Sequence, residues 1–269
     1  MYKLIAIDMD GTLLRNDRTV SYRSKEAIKK AKARGINITL TSGRPLVGIV
    51  DYLGLLNLIG IDDYVVSFGG SIVQRIGTHE TIAKHVLLGS DLKACYYWAQ
   101  SVGVDCQAFI DEGVIVPKIN SYIAHENATM PLSVQMMDFN EVDDDTEIIK
   151  MMLVDAPETI DRVVGLIPEV FHDKYTIVRS SPVILELLNK KSCKWYGVQA
   201  VMEQLGVNNE EVICIGDERN DIDMIISAGI GVAMGNATEE VKKHADFITY
   251  DNEHDGVAYI IEKVLSNSF

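Results

Sequence analysis

Long apolar runs are missing from this sequence of 269 residues, and no stretch of about 18 apolar residues occurs that would predict a transmembrane helix. The first residues, MYKLIAIDMDG, reach an acid after few apolar residues, so we expect no signal peptide. Basic residues are also few, since 25 Lys and Arg face 39 Asp and Glu and leave a net charge of −14. Nucleic acid and anionic membrane both bind basic patches, so neither is an expected partner.

Cysteine is scarce, and its four positions show no metal-ligand spacing: Cys95, Cys106, Cys193 and Cys214. We expect buried thiols in a reducing cytoplasm. Apolar residues make up 47% of the chain and charged residues 24%, which favours a folded protein over a disordered one. The length predicts one large or two smaller domains.

Strand and helix patterns alternate in the first and last parts of the chain. The predicted strands there are 3–7, 36–40, 212–215, 230–234 and 247–249, and residues 64–70 are predicted to form a strand followed by a turn. The predicted helices are 21–34, a segment ending near 56, 221–227, 239–244 and a segment from about 257. This alternation predicts an α/β fold, a Rossmann-like parallel sheet core with helices on both faces. In such sheets ligands bind beyond the carboxyl ends of the strands.

The middle of the chain does not alternate strictly between strand and helix patterns; it mixes short strand-like runs with helical segments at 93–102 and 158–167. We interpret residues 81–189 as an α+β domain inserted into the α/β core, which would then comprise 1–80 and 190–269. The acidic run Asp143–Asp145 is most simply a solvated loop.

Two aspartates, Asp8 and Asp10, end the first predicted strand in KLIAIDMDGTLL. One carboxylate here can attack phosphorus and form an aspartyl-phosphate, while the other protonates the leaving oxygen and then deprotonates water. Gly11 allows a tight turn whose N–H groups can bind an anion. The alternative is a turn in which Asp8 caps and Asp10 is solvated, but D-x-D-G-T directly after a strand rarely arises by chance.

The second predicted strand runs into LTSGRP. The Ser42 hydroxyl can hold a phosphate oxygen, Gly43 permits close approach, and Pro45 can begin the next helix. Taken alone, these residues fit a turn with a helix cap better than a phosphate site. Arg44 is equally consistent with phosphate binding and with a structural ion pair.

Three lysines, Lys190, Lys191 and Lys194, occur in LNKKSCKWYGV. One cation is needed to hold a phosphate and to offset a carboxylate nucleophile. A lysine in such a segment is usually at the surface, and the residues alone do not choose among the three.

The segment CIGDERNDIDMI places Asp217 at a strand end, with Asn220 and Asp221 one turn later. Mg²⁺ prefers a few carboxylates together with water and substrate phosphate. Asp8, the backbone carbonyl of Asp10, and Asp217 can provide such ligands, and Asn220 and Asp221 can orient them. Helix capping explains Asp217 alone, but it does not explain why five polar groups gather there.

In this order, DMDGTLL, TSGRP, the Lys194 region and GDERND resemble the four motifs of the haloacid dehalogenase-like phosphatases. The sequence is most similar to the Cof-type sugar-phosphatase group, which has a large cap domain between the second and third motifs. The likeness covers essentially the whole chain, including SSPVILELLNK and GVAMGNA. The resemblance implies that Asp8 is the nucleophile and Asp10 the general acid and base. It also implies phosphate binding by Ser42, Gly43, Lys194 and Asn220, Mg²⁺ binding by Asp8, Asp10 and Asp217, and supporting roles for Asp221 and Arg44.

Three positions depart from the family pattern. Trp195 stands where glycine is frequent, and Ser42 keeps the hydroxyl of the usual threonine without its methyl group. Gly69, in SFGG, stands where relatives often have the asparagine of NGA, which bears on substrate preference. None of these changes removes a catalytic group.

The sequence therefore predicts a Mg²⁺-dependent, cytoplasmic phosphatase for small phosphorylated metabolites, sugar phosphates foremost, acting as a monomer or small homo-oligomer. The inserted domain would close over the substrate and set specificity. Arg179 is a candidate substrate contact, although a solvated position explains it equally well.

Three alternatives remain open. A phosphotransferase or mutase similar to the phosphomannomutases shares the aspartyl-phosphate but requires an activating bisphosphate and releases little phosphate. A signalling module resembling response-regulator receiver domains also combines acids, a hydroxyl and a lysine around Mg²⁺, but the i, i+2 acid pair and the inserted domain argue against it. A catalytically silent sugar-binding protein is disfavoured because every catalytic position is occupied.

Overall fold

A computed structural model describes residues 2–128 and 132–268. The chain divides into two compact units, a core unit of residues 1–84 and 193–269 and an inserted unit of residues 85–192. The sequence predicted these divisions after residues 80 and 189. Within the described residues, no helix combines the length and the apolar character needed to span a bilayer.

The first segment of the core unit starts with a strand of five buried residues, which the sequence predicted from its aliphatic run. The following helix begins as predicted, because the Ser21 hydroxyl oxygen accepts a hydrogen bond from the Ser24 N–H and the predicted apolar stripe is buried. The elements are β1 (Leu4–Asp8), α1 (Tyr22–Ala33), β2 (Asn37–Thr41), α2 (Val50–Leu55), β3 (Tyr64–Ser67), β4 (Ile72–Arg75) and β5 (Glu80–Lys84).

The inserted unit has the α+β character that its sequence predicts. Its elements are β6 (Leu87–Leu88), α3 (Gly89–Ser101), β7 (Cys106–Ile110), β8 (Gly113–Val116), α4 (Ser121–Ala128), β9 (Val134–Met136), β10 (Glu147–Ile148), β11 (Lys150–Val154), α5 (Pro157–Val164), α6 (Glu169–Lys174), β12 (Tyr175–Ser181) and β13 (Ile184–Asn189). A six-stranded sheet has the order β12-β13-β11-β7-β8-β9, and β6 pairs with β10. Arg179, on β12, is ion-paired with the exposed Asp161.

The second segment of the core unit supplies its remaining strands and helices. They are α7 (Lys194–Leu205), β14 (Val212–Gly216), α8 (Ile222–Ser227), β15 (Ile230–Ala233), α9 (Glu239–His244), β16 (Phe247–Ile248) and α10 (Gly256–Leu265). Gly197 lets α7 lie directly on β3, because a Cβ there would come within 2.4 Å of the Val66 side chain.

The core unit is built on an eight-stranded sheet in the order β16-β15-β14-β1-β2-β3-β4-β5. Alternate residues of β1 point to opposite faces, so that Ile5 and Ile7 join one apolar cluster and Leu4 and Ala6 another. Residues of α1, α2 and α10 belong to the first cluster, and residues of α7 and α8 to the second. Helices therefore cover both faces, as predicted.

The sheet is not wholly parallel, because β4 and β5 form antiparallel pairs beside β3. Gly69 and Gly70, with φ values of 65° and 100°, turn the chain back directly after β3. The left-handed backbone at Gly69 is one that glycine adopts freely and that asparagine tolerates. The sequence predicted a turn here but not the two short strands that follow it.

The cysteines only partly match their prediction. Cys95, Cys106 and Cys214 are buried, whereas Cys193 is partly exposed, and all four are free thiols. Burial raises the pKa of Cys95 to about 12, so this thiol stays protonated at neutral pH.

Candidate active site

Lys194 lies at the centre of the site and is almost fully buried. Its Nζ donates hydrogen bonds to Asp8 Oδ1 at 2.5 Å and to Asp221 Oδ1 at 2.6 Å. Burial alone would lower the pKa of Lys194, but Asp221 and Asp8 raise it above its ordinary value. Lys190 and Lys191 are exposed, so the structure buries only the lysine that the family resemblance selected from the three.

Asp221 is fully buried and uses both carboxylate oxygens. Oδ1 accepts from Lys194, while Oδ2 accepts from the backbone N–H groups of Asp217 and Glu218, each at 3.0 Å. A Cβ at Gly216 would lie 2.4 Å from the Asp221 side chain, so glycine makes room for it. Asp221 therefore orients the lysine and fixes the turn that carries Asp217.

Asp217 follows β14, and its Oδ1 accepts a 2.6 Å hydrogen bond from the buried Thr12 hydroxyl. Gly11, with φ +80°, approaches the same carboxylate so closely that a Cβ would lie 2.3 Å from Asp217 Oδ2. Thr12 was not among the predicted site residues, although its place in DMDGT directly after Gly11 was the available signal. Glycine is required here for both conformation and space.

Three buried carboxylates gather at this point. One oxygen each from Asp8, Asp217 and Asp221 lies within 4.8 Å of the others. Burial raises the pKa of Asp217 to about 6, and burial together with the Asp221 and Asp217 charges raises the pKa of Asp8 well above its usual range, although Lys194 opposes this. Both carboxyls are therefore costly to ionise on their own, and a divalent cation with oxygen ligands would stabilise their charged forms.

Asp10 points elsewhere in this structure. Its carboxylate is exposed and accepts a forked ion pair from Arg44, whose Nε lies 2.7 Å from Asp10 Oδ2. Burial by itself would lower the pKa of Arg44. The hydrogen bonds and the charge of Asp10 outweigh this effect and raise the pKa above its ordinary value. The Arg44 guanidinium also lies over the Tyr52 ring, 5.8 Å from its centroid. The structure thus shows Arg44 in an ion pair, and phosphate binding by Arg44 stays a prediction.

The remaining predicted residues lie at different depths. Ser42 is buried one residue after Thr41, the β2 partner of Asp8 in the sheet register, and its Oγ accepts from the Arg44 N–H at 3.2 Å. Gly43 and Asn220 are exposed. The structure thus groups Asp8, Lys194, Asp217 and Asp221 tightly, and it leaves Gly43 and Asn220 at the surface of the neighbouring loops.

This arrangement has the elements of phosphoryl-group chemistry. A carboxylate at a strand end is oriented by a fixed ammonium, and a cluster of acids can hold a cation that shields phosphate oxygens. An exposed second carboxylate lies two residues away, where it can exchange protons with a substrate and with water.

Comparisons with known proteins agree with this chemistry. The family model of the haloacid dehalogenase-like hydrolases matches residues 5–261. YxeH of Bacillus subtilis is 38% identical over 267 residues, which cover 98% of this chain and 99% of YxeH. A haloacid dehalogenase-like hydrolase from Bacteroides thetaiotaomicron superposes with a TM-score of 0.86 at 31% identity, covering 98% of this chain and all of that one. The subclass IIB sugar phosphatase BT4131 superposes with a TM-score of 0.82 at 26% identity, covering 97% and 98%.

Proposed function

The chain belongs to the haloacid dehalogenase-like hydrolases and is a phosphatase of the Cof type, and from this premise we propose that it hydrolyses small phosphorylated metabolites, sugar phosphates foremost, with Mg²⁺. The observation that carries the proposal is the cluster of three buried carboxylates, Asp8, Asp217 and Asp221, beside the buried ammonium of Lys194. The sugar phosphatase BT4131 supports the substrate class.

In the proposed first step, Asp8 attacks phosphorus. An oxygen–phosphorus bond forms on the Asp8 carboxylate while the bond to the substrate's leaving oxygen breaks, which gives an aspartyl-phosphate. Lys194 and Asp221 keep the Asp8 carboxylate in one orientation, so little conformational freedom is lost on reaching the transition state. Lys194, Ser42, Gly43 and Asn220 are the proposed holders of the phosphate oxygens.

Asp10 is the proposed proton carrier for both steps. As an acid it protonates the leaving oxygen, and as a base it then takes a proton from the water that cleaves the aspartyl-phosphate. In this structure Arg44 holds Asp10. The proposed role therefore requires Asp10 to release Arg44 and to turn towards the leaving oxygen.

The proposed holders of Mg²⁺ are the carboxylates of Asp8 and Asp217 and the backbone carbonyl of Asp10. Asp221 supports them, since both of its oxygens are already engaged by Lys194 and by backbone N–H groups. When bound, Mg²⁺ supplies positive charge against the carboxylates and the phosphate oxygens.

The inserted unit is the proposed determinant of substrate choice, and the protein is proposed to work in the cytoplasm as a monomer or small homo-oligomer. A phosphotransferase remains the alternative within the superfamily, since it shares the first step and differs only in the acceptor of the phosphoryl group.

Phosphate release from p-nitrophenyl phosphate and a panel of sugar phosphates, with Mg²⁺ or with EDTA, tests the proposed reaction. We expect turnover with Mg²⁺, almost none with EDTA, and a preference for some of the sugar phosphates over p-nitrophenyl phosphate. Phosphate release that appears only when an activating bisphosphate and a sugar acceptor are supplied would favour the transferase. A folded, Mg²⁺-binding protein that releases no phosphate from any substrate would overturn the proposal.

The pKa of Asp217 makes the effect of Mg²⁺ on stability depend on pH. Burial raises this pKa from 3.8 to about 6, so the folded chain holds the proton more tightly than the unfolded chain. The free energy of unfolding without metal should therefore fall as pH rises through this interval, and stay lower above it. Cation binding needs the ionised carboxylates, so it opposes this loss.

We therefore expect a fixed Mg²⁺ concentration, about 100 times the Kd at neutral pH, to raise Tm by about 5 °C or more at neutral pH. The same concentration should raise Tm by less near pH 5. Thermal unfolding followed by circular dichroism, with Mg²⁺ and with EDTA at both pH values, measures the difference. An equal rise at the two pH values would contradict the assignment of Asp217 to the cation site.

A further inference from the structure

Two asparagines from neighbouring loops hold the loop that follows β1. Asn236, after β15, donates from Nδ2 to the carbonyl oxygen of Gly11 at 2.8 Å. Asn252, after β16, donates from Nδ2 to the carbonyl oxygen of Leu14 at 2.9 Å. The turn that carries Asp10 is therefore fixed at both sides by side-chain amides that are not among the predicted catalytic residues.

The two asparagines are also bonded to each other. The Asn252 backbone N–H donates to Asn236 Oδ1 at 3.1 Å. Asn236 thus has an N–H donor facing its oxygen and a carbonyl acceptor facing its nitrogen. These two partners determine the orientation of its amide group, because a flipped amide would place its own oxygen against the Gly11 carbonyl oxygen, and two acceptors repel each other.

Asn236 reaches the acidic cluster as well. Its Nδ2 lies 3.5 Å from Asp217 Oδ2, the oxygen against which Gly11 packs. The other oxygen of Asp217 accepts from Thr12. One Asn236 amide therefore touches both loops that supply the proposed cation ligands, the loop after β1 and the loop after β14.

We propose that Asn236, held by Asn252, is a positioning residue for the cation site. Through Gly11 it fixes the turn between Asp8 and Thr12, and through Asp217 Oδ2 it fixes the opposing carboxylate, so that the two aspartates keep the spacing that a divalent cation needs. The cation is taken to be Mg²⁺ on the strength of the proposed function. Groups that orient metal ligands commonly change metal affinity by about 10- to 100-fold when removed.

The test is the Kd of Mg²⁺ for the folded Asn236→Leu protein, measured by titration calorimetry without substrate. Leucine keeps the side-chain size and removes the polar contacts with Gly11, Asp217 and Asn252, and Asn236 is exposed enough to accept it. We expect the Kd for Mg²⁺ to rise about 10-fold or more, while kcat for p-nitrophenyl phosphate at saturating Mg²⁺ stays within a few-fold of the wild type. Asn140→Leu, at an exposed asparagine of the inserted unit, is the matched control and should leave the Kd unchanged.

A second variant separates the two asparagines. Asn252→Ala keeps the backbone N–H that donates to Asn236 and removes the Nδ2 bond to Leu14, so its Kd for Mg²⁺ should stay closer to that of the wild type than the Kd of Asn236→Leu. A larger rise in Asn252→Ala than in Asn236→Leu would contradict the role given to Asn236. If the leucine protein fails to fold, Asn236→Ala replaces it in both measurements.

An unchanged Mg²⁺ Kd in Asn236→Leu, with at most a lower Tm, would reduce Asn236 to a structural contact and overturn the inference while leaving the proposed function intact. A folded wild type that binds no Mg²⁺ would instead overturn the proposed metal and this inference together.

Discussion

Replacing Asp8 by asparagine is expected to lower the kcat for phosphate release by about 10⁴-fold or more, because the amide cannot form the acyl phosphate. Phosphate release from p-nitrophenyl phosphate under saturating Mg²⁺, followed over hours, measures the loss. Asp161→Asn, at an exposed aspartate of the inserted unit, is the matched control and should keep its turnover. Release by Asp8→Asn at a rate near that of the wild type would remove Asp8 from the nucleophile's role.

The same variant should remain folded. In the wild type, three buried carboxylates face one buried ammonium, and burial together with Asp221 and Asp217 raises the pKa of Asp8 well above its ordinary value. Asparagine removes one negative charge and still accepts from Lys194, so the Tm without Mg²⁺ at neutral pH should equal or exceed that of the wild type. An inactive variant with a much lower Tm would attribute the lost activity to unfolding.

Replacing Lys194 by methionine is expected to have the largest effect on stability. Methionine fills much of the volume but leaves Asp8 and Asp221 buried without their shared cation. Removing one partner of a buried ion pair typically costs about 3–5 kcal/mol, and activity should disappear with it. Denaturant unfolding without Mg²⁺ at neutral pH measures the loss of stability, which should shrink near pH 5 as the carboxyls take up protons.

The double variant Lys194→Met with Asp221→Asn tests whether the loss of stability comes from unpaired charge or from packing. It removes one positive and one negative charge, and the amide oxygen introduced at position 221 can still accept from the Asp217 and Glu218 N–H groups. Part of the stability should return, and the activity should not. If the double variant is as unstable as Lys194→Met, the destabilisation arises from packing and not from unpaired charge.

Much of the core unit could be predicted because local patterns and tertiary structure agree there. The aliphatic runs of β1, β2 and β14 are central strands, and parallel pairing places the polar loops that follow them at one edge of the sheet. That rule alone brings Asp8, Ser42 and Asp217 to neighbouring strand ends. The Ser21 cap and the α1 stripe were readable for the same reason.

Other features depend on contacts between residues far apart in sequence, which periodicity does not report. Apart from the family resemblance, what distinguishes Lys194 from Lys190 and Lys191 is its burial against Asp8 and Asp221. The pairing of Asp10 with Arg44 was one of two open readings, and Asn236 lies 225 residues from the Gly11 carbonyl that it holds. The strands β4 and β5 are short, and their pairing depends on the Gly69–Gly70 turn.

The insertion of one unit within the other has a consequence for folding during synthesis. The inserted unit is continuous and is complete once residue 192 has emerged from the ribosome, whereas β1 pairs with β14 in a register that joins Leu4 to Val212. During synthesis β1 therefore lacks its partner β14, and one edge of the growing sheet stays open until the whole inserted unit has been made. Synthesis from the N-terminus thus favours completion of the inserted unit before the sheet that carries the acidic cluster.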